Sequence, residues 1–305
     1  MSEAGVSRRD GQRAGRVHSG ESAAARSAKR WLKQRCADLV DAVGAASSSG
    51  AAVLCYHSVG ADPRCPAELF RRHLAWLQEH CTVVRFGALP SLAPERNEAR
   101  PVVAITFDDG YRDNYEHAFP LLEEYRLPAT FFVTAGFIEG DAAVLDRFRT
   151  LRGHDLIRSL EWAQMLEMRA AGAEFGAHTY SHRNLMRLSP PEVETELRRS
   201  KDVIEERLGE PVTMLAYPFG KPRRHYTSQT VAAARAAGYE VGATTVLRAL
   251  RPSDDPLTLP RLLVGGDDVD TLREKLAGSW NLLGRWQEHG PRWAARLLSP
   301  DDFRV

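Results

Sequence analysis

Short apolar segments alternate with amphipathic segments from position 51 onward, and this alternation constrains the fold more than any other feature. Strands that are joined by helices pair in parallel, so the pattern predicts an α/β chain with a βα-barrel-like or doubly wound sheet. In such sheets the functional residues belong at the C-terminal ends of the strands. The predicted strands are Ala52–Tyr56, Val102–Phe107, Ala129–Thr134, Glu174–Ala177, Val212–Tyr217, Val241–Val246 and Leu259–Val264.

The segments between these strands carry apolar residues at spacings of three and four, which is typical of amphipathic helices. Glycines follow several of them where a helix should end. The predicted helices are Ala67–His80, Asn114–Tyr125, Glu161–Ala171, Pro191–Leu208, Ser228–Ala237 and Val269–Ala277. Positions 135–160 read as a long insertion after a strand, which we expect to line the cleft.

The ends of the chain differ from its centre. Residues 1–50 are rich in Ala, Ser, Gly and Arg, and we interpret them as a flexible extension that can contain one short helix. One domain is predicted over residues 51–280, with a C-terminal tail over residues 281–305. The four cysteines form no CxxC pair, and the N-terminus has no apolar signal region, so we expect a cytoplasmic protein without a transmembrane segment.

The charge of the chain is balanced. Forty-one basic residues stand against 40 acidic ones, which gives a formal net charge of +1. Such a balance gives no reason to expect nucleic acid as a partner, and it suits a neutral substrate such as a glycan.

Two adjacent carboxylates follow the second predicted strand, in the segment Thr106-Phe107-Asp108-Asp109-Gly110. Like charges side by side repel, so a fold that buries them usually supplies a cation to one of them. One carboxylate can then bind a metal while the other stays available as a base. An ordinary Asp-Asp-Gly surface turn is the simpler alternative.

Two imidazoles lie four residues apart after another predicted strand, in His178-Thr179-Tyr180-Ser181-His182. Such a pair can converge on one cation, and imidazole suits zinc and related metals. Alone, the spacing is also compatible with two unrelated histidines. Together with the two aspartates, the pair supplies two imidazoles, one carboxylate ligand and a second carboxylate as base. These are the groups that metal-assisted hydrolysis requires.

Two further strand ends carry candidate residues. Tyr217-Pro218-Phe219-Gly220 forms a turn that can present a backbone N–H to an oxyanion, and Phe219 is the better donor because proline has no N–H. His57 follows the first predicted strand and can protonate a leaving amine. Structural roles remain open for both, since strand-ending turns and single histidines are common.

With these segments together, the sequence resembles the polysaccharide deacetylases of the NodB-homology class, carbohydrate esterase family 4. Thr106–Gly110 is similar to the first motif of that family, and His178–His182 to its His-[Ser/Thr]-x-[Ser/Thr]-His motif. The resemblance extends from about Val53 to about Ala277. It implies a distorted (β/α) barrel of about seven parallel strands, with Asp108 as general base and Asp109, His178 and His182 as metal ligands.

Two departures from the family pattern concern the residues around the base. Many members have an arginine where this chain has Ala216, and we expect Arg261 to replace it. A C-terminal Leu-x-His, which supplies the acid in many members, is not evident. The Tyr56-His57 segment resembles instead the branch that includes poly-β-1,6-N-acetylglucosamine deacetylases, so His57 is the expected acid.

The resemblance implies hydrolysis of N-acetyl groups on an amino-sugar polysaccharide or its precursor. A divalent metal, zinc before cobalt, nickel or iron, would activate the attacking water. Residues 1–50 could contact a membrane or a synthase partner. The alternatives are an O-acetyl esterase or another C–N hydrolase, a non-catalytic glycan-binding module, and a non-haem iron oxygenase with the same two-His, one-carboxylate ligand set.

Overall fold

A computed structural model of the chain describes residues 51–62, 64–92, 100–152 and 158–289. All seven predicted strands are present within these ranges. The strands predicted at Ala52–Tyr56, Val102–Phe107 and Glu174–Ala177 have the predicted bounds, the other four are shorter than predicted, and one further strand occurs at Thr82–Val84. In chain order the strands are β1 Ala52–Tyr56, β2 Thr82–Val84, β3 Val102–Phe107, β4 Thr130–Val133, β5 Glu174–Ala177, β6 Met214–Ala216, β7 Val241–Ala243 and β8 Leu262–Leu263.

Every strand pair is parallel, and the sheet curls into a distorted barrel. The strand order is β7-β6-β5-β4-β3-β1-β8, and β2 pairs with β3 beside this path. An isolated parallel bridge between Ala243 and Leu259 links β7, the first strand of that order, to the segment that leads into β8. The predicted fold class is therefore confirmed.

Alternate residues of each strand face opposite sides of the sheet, as the pleat requires. One set forms a buried apolar cluster inside the barrel, whereas the other packs beneath the helices in a larger core. The interior cluster comprises Ala51, Val53, Phe86, Leu89, Ala104, Phe132, Met214, Ala216, Val241, Ala243 and Leu259.

The six predicted helices are found with small shifts of their ends. In chain order the α-helices are α1 Ala67–His80, α2 Phe119–Tyr125, α3 Ala135–Ile138, α4 Ala142–Arg152, α5 Trp162–Ala170, α6 Pro190–Leu208, α7 Ser228–Ala236, α8 Val269–Ala277 and α9 Asn281–His289. A π-helical turn, Asn114–Ala118, precedes α2. The ends of α6 have typical helix caps. A capping box of Ser189 and Glu192 begins this helix, and Gly209 with φ 70° ends it.

Three of the described helices lie where the sequence predicted none. α3 and α4 occupy the segment that we expected to be a long insertion, and α9 occupies the first part of the expected C-terminal tail. α9 contacts the domain, since the Gln287 side chain accepts a hydrogen bond from the Leu247 N–H. The expected extension over residues 1–50 and the last part of the expected tail, 290–305, lie outside the described residues.

Candidate active site

The Asp108-Asp109-Gly110 segment leaves the C-terminal end of β3 in a conformation that separates the two carboxylates. Asp109 has φ 78° and Gly110 has φ 86°, both in the left-handed region. The turn is held by hydrogen bonds from the Thr134 N–H to the Asp109 carbonyl and from the Leu160 N–H to the Gly110 carbonyl. Both aspartates are buried.

Asp108 pairs with Arg261 in a two-point ion pair. The guanidinium Nη1 and Nη2 lie 2.7 and 2.6 Å from the two carboxylate oxygens. Burial disfavours the charge on Asp108, but Arg261, with smaller contributions from His178 and His57, holds the pKa of that carboxyl well below its usual range. Asp108 is therefore ionised at neutral pH.

Arg261 is itself fixed on all sides. Its Nε donates to the Thr244 carbonyl at 2.9 Å, its Nη1 also donates to the Thr106 hydroxyl at 3.2 Å, and its guanidinium lies 5.6 Å from the centre of the Phe132 ring. Burial opposes its charge, yet Asp108 more than offsets this and raises the pKa of Arg261. The structure thus places Arg261 beside Asp108, as the sequence predicted, whereas Ala216 lies in the interior cluster.

Asp109 lies with His178 and His182 in a second buried group. One carboxylate oxygen and one nitrogen from each ring all lie within 4.8 Å of one another. Asp109 Oδ1 is 3.5 Å from His178 Nε2 and 3.3 Å from His182 Nε2. The three predicted metal ligands are therefore brought together.

The orientation of His178 fits a cation at this group. Its Nδ1–H donates to the Ala216 carbonyl at 2.7 Å, so in the neutral ring Nε2 carries the lone pair. That lone pair faces a carboxylate oxygen, and both are electron donors. A backbone carbonyl that orients an imidazole in this way is the usual arrangement behind a metal-ligating histidine. The donor set of one carboxylate and two imidazoles suits zinc and its neighbours.

His57 reaches the same region from the end of β1. One of its ring nitrogens lies within 4.8 Å of Asp108 and Cys55 ligand atoms. Its backbone carbonyl accepts a hydrogen bond of 2.7 Å from Asn114 Nδ2, which ties the end of β1 to the turn after β3. His57 is half-buried, so it lies between the enclosed carboxylate and the surface.

Comparison with known proteins agrees with this geometry. Residues 95–242 match the family model described as polysaccharide deacetylase. The chain carries a NodB-type polysaccharide deacetylase domain. YxkH of Bacillus subtilis strain 168, assigned by its name to the polysaccharide deacetylases, is 32% identical over 197 residues. That alignment spans 63% of this chain and 63% of YxkH, so more than a third of each lies outside it.

More distant relatives of this deacetylase domain are similar in sequence and in structure. The poly-β-1,6-N-acetyl-D-glucosamine N-deacetylase of Staphylococcus aureus strain MRSA252 is 25% identical over 221 residues, which is 68% of this chain and 70% of that one. The Streptococcus pyogenes deacetylase PplD, solved with acetate, superposes with a TM-score of 0.62 at 25% identity over 74% of this chain and 98% of its own. IcaB from Ammonifex degensii superposes at 0.58 with 28% identity over 79% and 97%.

The turn after β6 forms another wall of the candidate site. The Phe219 ring lies 4.8 Å from the His182 ring, centre to centre, and Phe219 has φ 60°. The Thr245 hydroxyl donates to the Phe219 carbonyl at 2.7 Å, and a Cβ on Gly220 would come within 2.6 Å of the Thr245 nitrogen. A glycine is therefore required at position 220 for this close approach.

Two other members of the predicted oxyanion segment have different surroundings. Pro218 is buried within the turn. The Tyr217 ring belongs to the outer core and stacks on Tyr226 at 4.7 Å, so its side chain packs beneath the helices rather than among the carboxylates. The Tyr217 N–H donates to the Ala243 carbonyl at 3.0 Å, so it is already engaged within the sheet.

Three residues near the site were not singled out from the sequence. The Cys55 thiol lies 3.4 Å from Asp108 Oδ2, Asn114 anchors the His57 backbone, and Glu196 binds the loop between the two histidines. The strand pattern offers a signal for Cys55, because it lies in β1 two residues before His57. Asn114 and Glu196 act through contacts between distant segments, and local sequence carries no signal for those.

Phe148, in the described part of the expected insertion, packs against the site. The Phe148 ring of α4 lies 5.4 Å from the His182 ring, centre to centre. His154, which the same expectation included, lies outside the described residues. Among the described helices, none is both long enough and apolar enough to cross a membrane.

Proposed function

We propose that this chain hydrolyses N-acetyl groups on an amino-sugar polysaccharide or its precursor, with a divalent metal as cofactor. The observation that carries the proposal is the separation of the two neighbouring aspartates into different roles. Asp108 is paired with Arg261 at 2.6 Å, while Asp109 lies 3.3 to 3.5 Å from two imidazole nitrogens. Deacetylase chemistry needs one carboxylate as proton acceptor and another as metal ligand.

The proposed substrate is a β-linked N-acetylglucosamine polymer, with β-1,6 linkage as the first choice. Support for this choice comes from the S. aureus relative, whose name specifies poly-β-1,6-N-acetyl-D-glucosamine. Support also comes from His57, whose place after β1 beside Asp108 supplies an acid from the N-terminal part of the chain. A balanced net charge of +1 is compatible with a neutral N-acetylated glycan.

Asp109, His178 and His182 would hold the metal. When bound, a divalent metal there would supply a Lewis acid for the acetyl carbonyl and lower the pKa of water, with zinc as the first candidate. His178 is oriented for this role by its hydrogen bond to the Ala216 carbonyl. The buried setting strengthens these electrostatic interactions because water does not screen them.

Asp108 acts as the proton acceptor for the attacking water. Arg261 keeps the carboxylate ionised and fixes its plane through two hydrogen bonds. As the water oxygen bonds to the acetyl carbon, its proton passes to Asp108. The C–N bond then breaks, acetate leaves, and the sugar nitrogen must take up a proton because an amide anion is a very poor leaving group.

His57 donates that proton to the leaving nitrogen, and the Phe219 N–H is our candidate contact for the acetyl oxygen. Asn114 holds the His57 backbone in place from the neighbouring turn. The Phe219 ring lies 4.8 Å from the His182 ring, so the side chain of this residue borders one of the proposed metal ligands. Arg261 touches Asp108 rather than the reacting atoms, so it is a positioning residue.

The experiment is acetate release from a panel of substrates by the purified full chain after removal of metal and readdition of Zn²⁺ or Co²⁺. The panel contains β-1,6 and β-1,4 N-acetylglucosamine oligomers and an O-acetylated xylan oligomer. We expect metal-dependent release from the N-acetylated oligomers, fastest with the β-1,6 linkage. Release from the O-acetyl ester alone would replace the N-deacetylase by an esterase, and glycan binding without release from any substrate would favour a binding module.

A further inference from the structure

The loop between His178 and His182 has an unusual backbone. Thr179 has φ 62° and His182 has φ 53°, both in the left-handed region. This region is unfavourable for residues with a Cβ, and most of all for a β-branched residue such as threonine. The loop therefore keeps this conformation only where surrounding contacts enforce it.

One residue outside the loop makes three of those contacts. Glu196 of α6 accepts the Ser181 N–H at 2.8 Å on Oε2 and the Ser181 hydroxyl on Oε1. Its backbone carbonyl accepts the Tyr180 N–H at 3.2 Å. Glu196 is only 8% exposed and Ser181 only 9%, so water competes little for these hydrogen bonds.

The opposite side of the loop rests on α3. The Ala135 N–H donates to the Thr179 carbonyl at 3.2 Å, and the Gly136 N–H donates to the Tyr180 carbonyl at 2.8 Å. A Cβ on Gly136 would approach the Tyr180 oxygen to 2.7 Å, so the fit is close. The loop is thus clamped between α3 and Glu196.

We infer that Glu196 is a positioning residue that sets the metal affinity of the site by holding both imidazoles in their ligating geometry. The inference rests on the metal site of the proposed function. Glu196 contacts Ser181 and Tyr180, which lie between the two ligands, and its carboxylate oxygens are both engaged by Ser181. It therefore acts through the backbone rather than as a ligand.

The hydrogen bonds between Glu196 and Ser181 predict which substitutions weaken metal binding most. Glu196→Ala removes both acceptors, so the Ser181 N–H loses its partner and the loop can relax. Glu196→Gln keeps one oxygen for the N–H, and its amide can donate to the Ser181 hydroxyl, which is able to accept instead. The glutamine variant should therefore recover most of what the alanine variant loses.

The test is the affinity of the full chain for Zn²⁺, measured by competition with a chromophoric chelator, together with the visible spectrum of the Co²⁺ form. We expect Glu196→Ala to weaken Zn²⁺ binding by about 10- to 100-fold, as substitutions behind metal ligands usually do, and to alter the Co²⁺ spectrum. Ser181→Ala should weaken it in the same direction. The combined variant should be no weaker than Glu196→Ala alone, because both act on one contact.

Glu194→Ala is the matched control, since Glu194 lies on the exposed side of the same helix and pairs with Arg198 at 2.8 Å. Its Zn²⁺ affinity should equal that of the unchanged chain. Wild-type affinity in Glu196→Ala, or equal losses in Glu194→Ala, overturns the inference. If Glu196→Ala does not fold, wild-type affinity in a folded Ser181→Ala overturns it instead.

The readout separates this inference from the proposed function. If the variants bind Zn²⁺ more weakly as described but the unchanged chain releases no acetate, the role of Glu196 stands and the deacetylase assignment fails. If the unchanged chain releases acetate but both variants bind Zn²⁺ with unchanged affinity, the proposed function stands and the role of Glu196 fails.

Discussion

The interior of the barrel has two layers that are equally buried but differ in chemistry. The lower layer is apolar and includes Val53, Ala104 and Phe132. The upper layer, at the C-terminal strand ends, includes the buried polar residues Thr106, Asp108 and Arg261. An apolar layer stabilises a barrel, whereas a buried ion pair contributes little net stability because both charges lose their hydration. The upper layer therefore indicates where the fold carries its function.

The two layers are in direct contact. The Arg261 guanidinium lies 5.6 Å from the centre of the Phe132 ring, and the Arg261 Nη1 donates to the Thr106 hydroxyl. Through these contacts the apolar layer forms a rigid floor for the ion pair. We expect substitutions in the upper layer to affect both stability and activity, and substitutions in the lower layer to affect stability alone.

The largest effect is expected from Arg261→Met. The change leaves the Asp108 carboxylate buried without its cation, which should lower the free energy of unfolding by about 4 kcal/mol. Because Asp108 also loses its orientation, acetate release should fall sharply in the protein that remains folded. Urea unfolding and initial rates measure the two effects. Lys275→Met is the control, since Lys275 is buried and paired with Asp267 at 2.6 Å in a different contact. It should lose stability and keep its activity per folded molecule.

Phe86→Ala tests the lower layer. Phe86 is fully buried and packs edge-on against Phe132, with ring centres 5.3 Å apart. The cavity should lower the free energy of unfolding by about 3 kcal/mol, measured by urea titration. The kcat/KM of the folded fraction should change less than twofold. A loss of activity as large as that of Arg261→Met would show that the layers are not functionally distinct.

His57→Gln tests the proposed acid at the rim of the upper layer. Its removal should slow hydrolysis of the N-acetyl substrate by about 100-fold, because general acid catalysis typically contributes at least that much. An aryl acetate has a leaving group that needs no proton, so its hydrolysis should change little. Equal losses on the amide and the ester would assign His57 a structural role.

The smallest effect concerns a buried imidazole away from the site. His73 of α1 accepts a hydrogen bond from the Tyr56 hydroxyl at 3.1 Å and donates one to the Asp267 carbonyl at 2.9 Å, which is the pattern of a neutral ring. Burial lowers the pKa of His73 below 6.5, although the Asp267 carbonyl partly opposes this.

Stability should therefore depend on pH through His73. Below about pH 6.5 the unfolded chain binds a proton that the folded chain does not, so stability is complete above that pH and falls as the pH decreases. The dependence of the free energy of unfolding on pH should be weaker in His73→Gln and unchanged in His80→Gln, which changes an exposed residue at the end of the same helix. An unchanged slope in His73→Gln would contradict this assignment. Urea midpoints between pH 5 and pH 7.5 measure it.

The sequence predicted the features that depend on local pattern. The strand that ends at Phe107 and the two histidines after Ala177 are such features, because alternation and spacing are visible along the chain. Arg261 was predicted only because this chain has Ala216 where many family members have an arginine. Its contact with Asp108 joins residues 153 positions apart, so no local pattern indicates it.

Other features depend on packing that no local pattern encodes. The strand Thr82–Val84 has three residues and forms only because β3 offers it a partner. α9 is stabilised by Gln287 and by the Glu288–Arg248 ion pair with the domain. The clamp of Glu196 on Ser181 joins a helix to a loop, and each residue alone is unremarkable in sequence.

The most direct test of the proposed division between the two aspartates is acetate release by Asp108→Asn beside the unchanged chain, each with its bound Zn²⁺ measured. We predict that the variant binds Zn²⁺ as the unchanged chain does and releases acetate about 100- to 10,000-fold more slowly, as loss of a general base requires. Removal of Zn²⁺ should abolish release by the unchanged chain. Near-normal release by the variant, or undiminished release without metal, would contradict the assignment of Asp108 as base and of Asp109 as metal ligand.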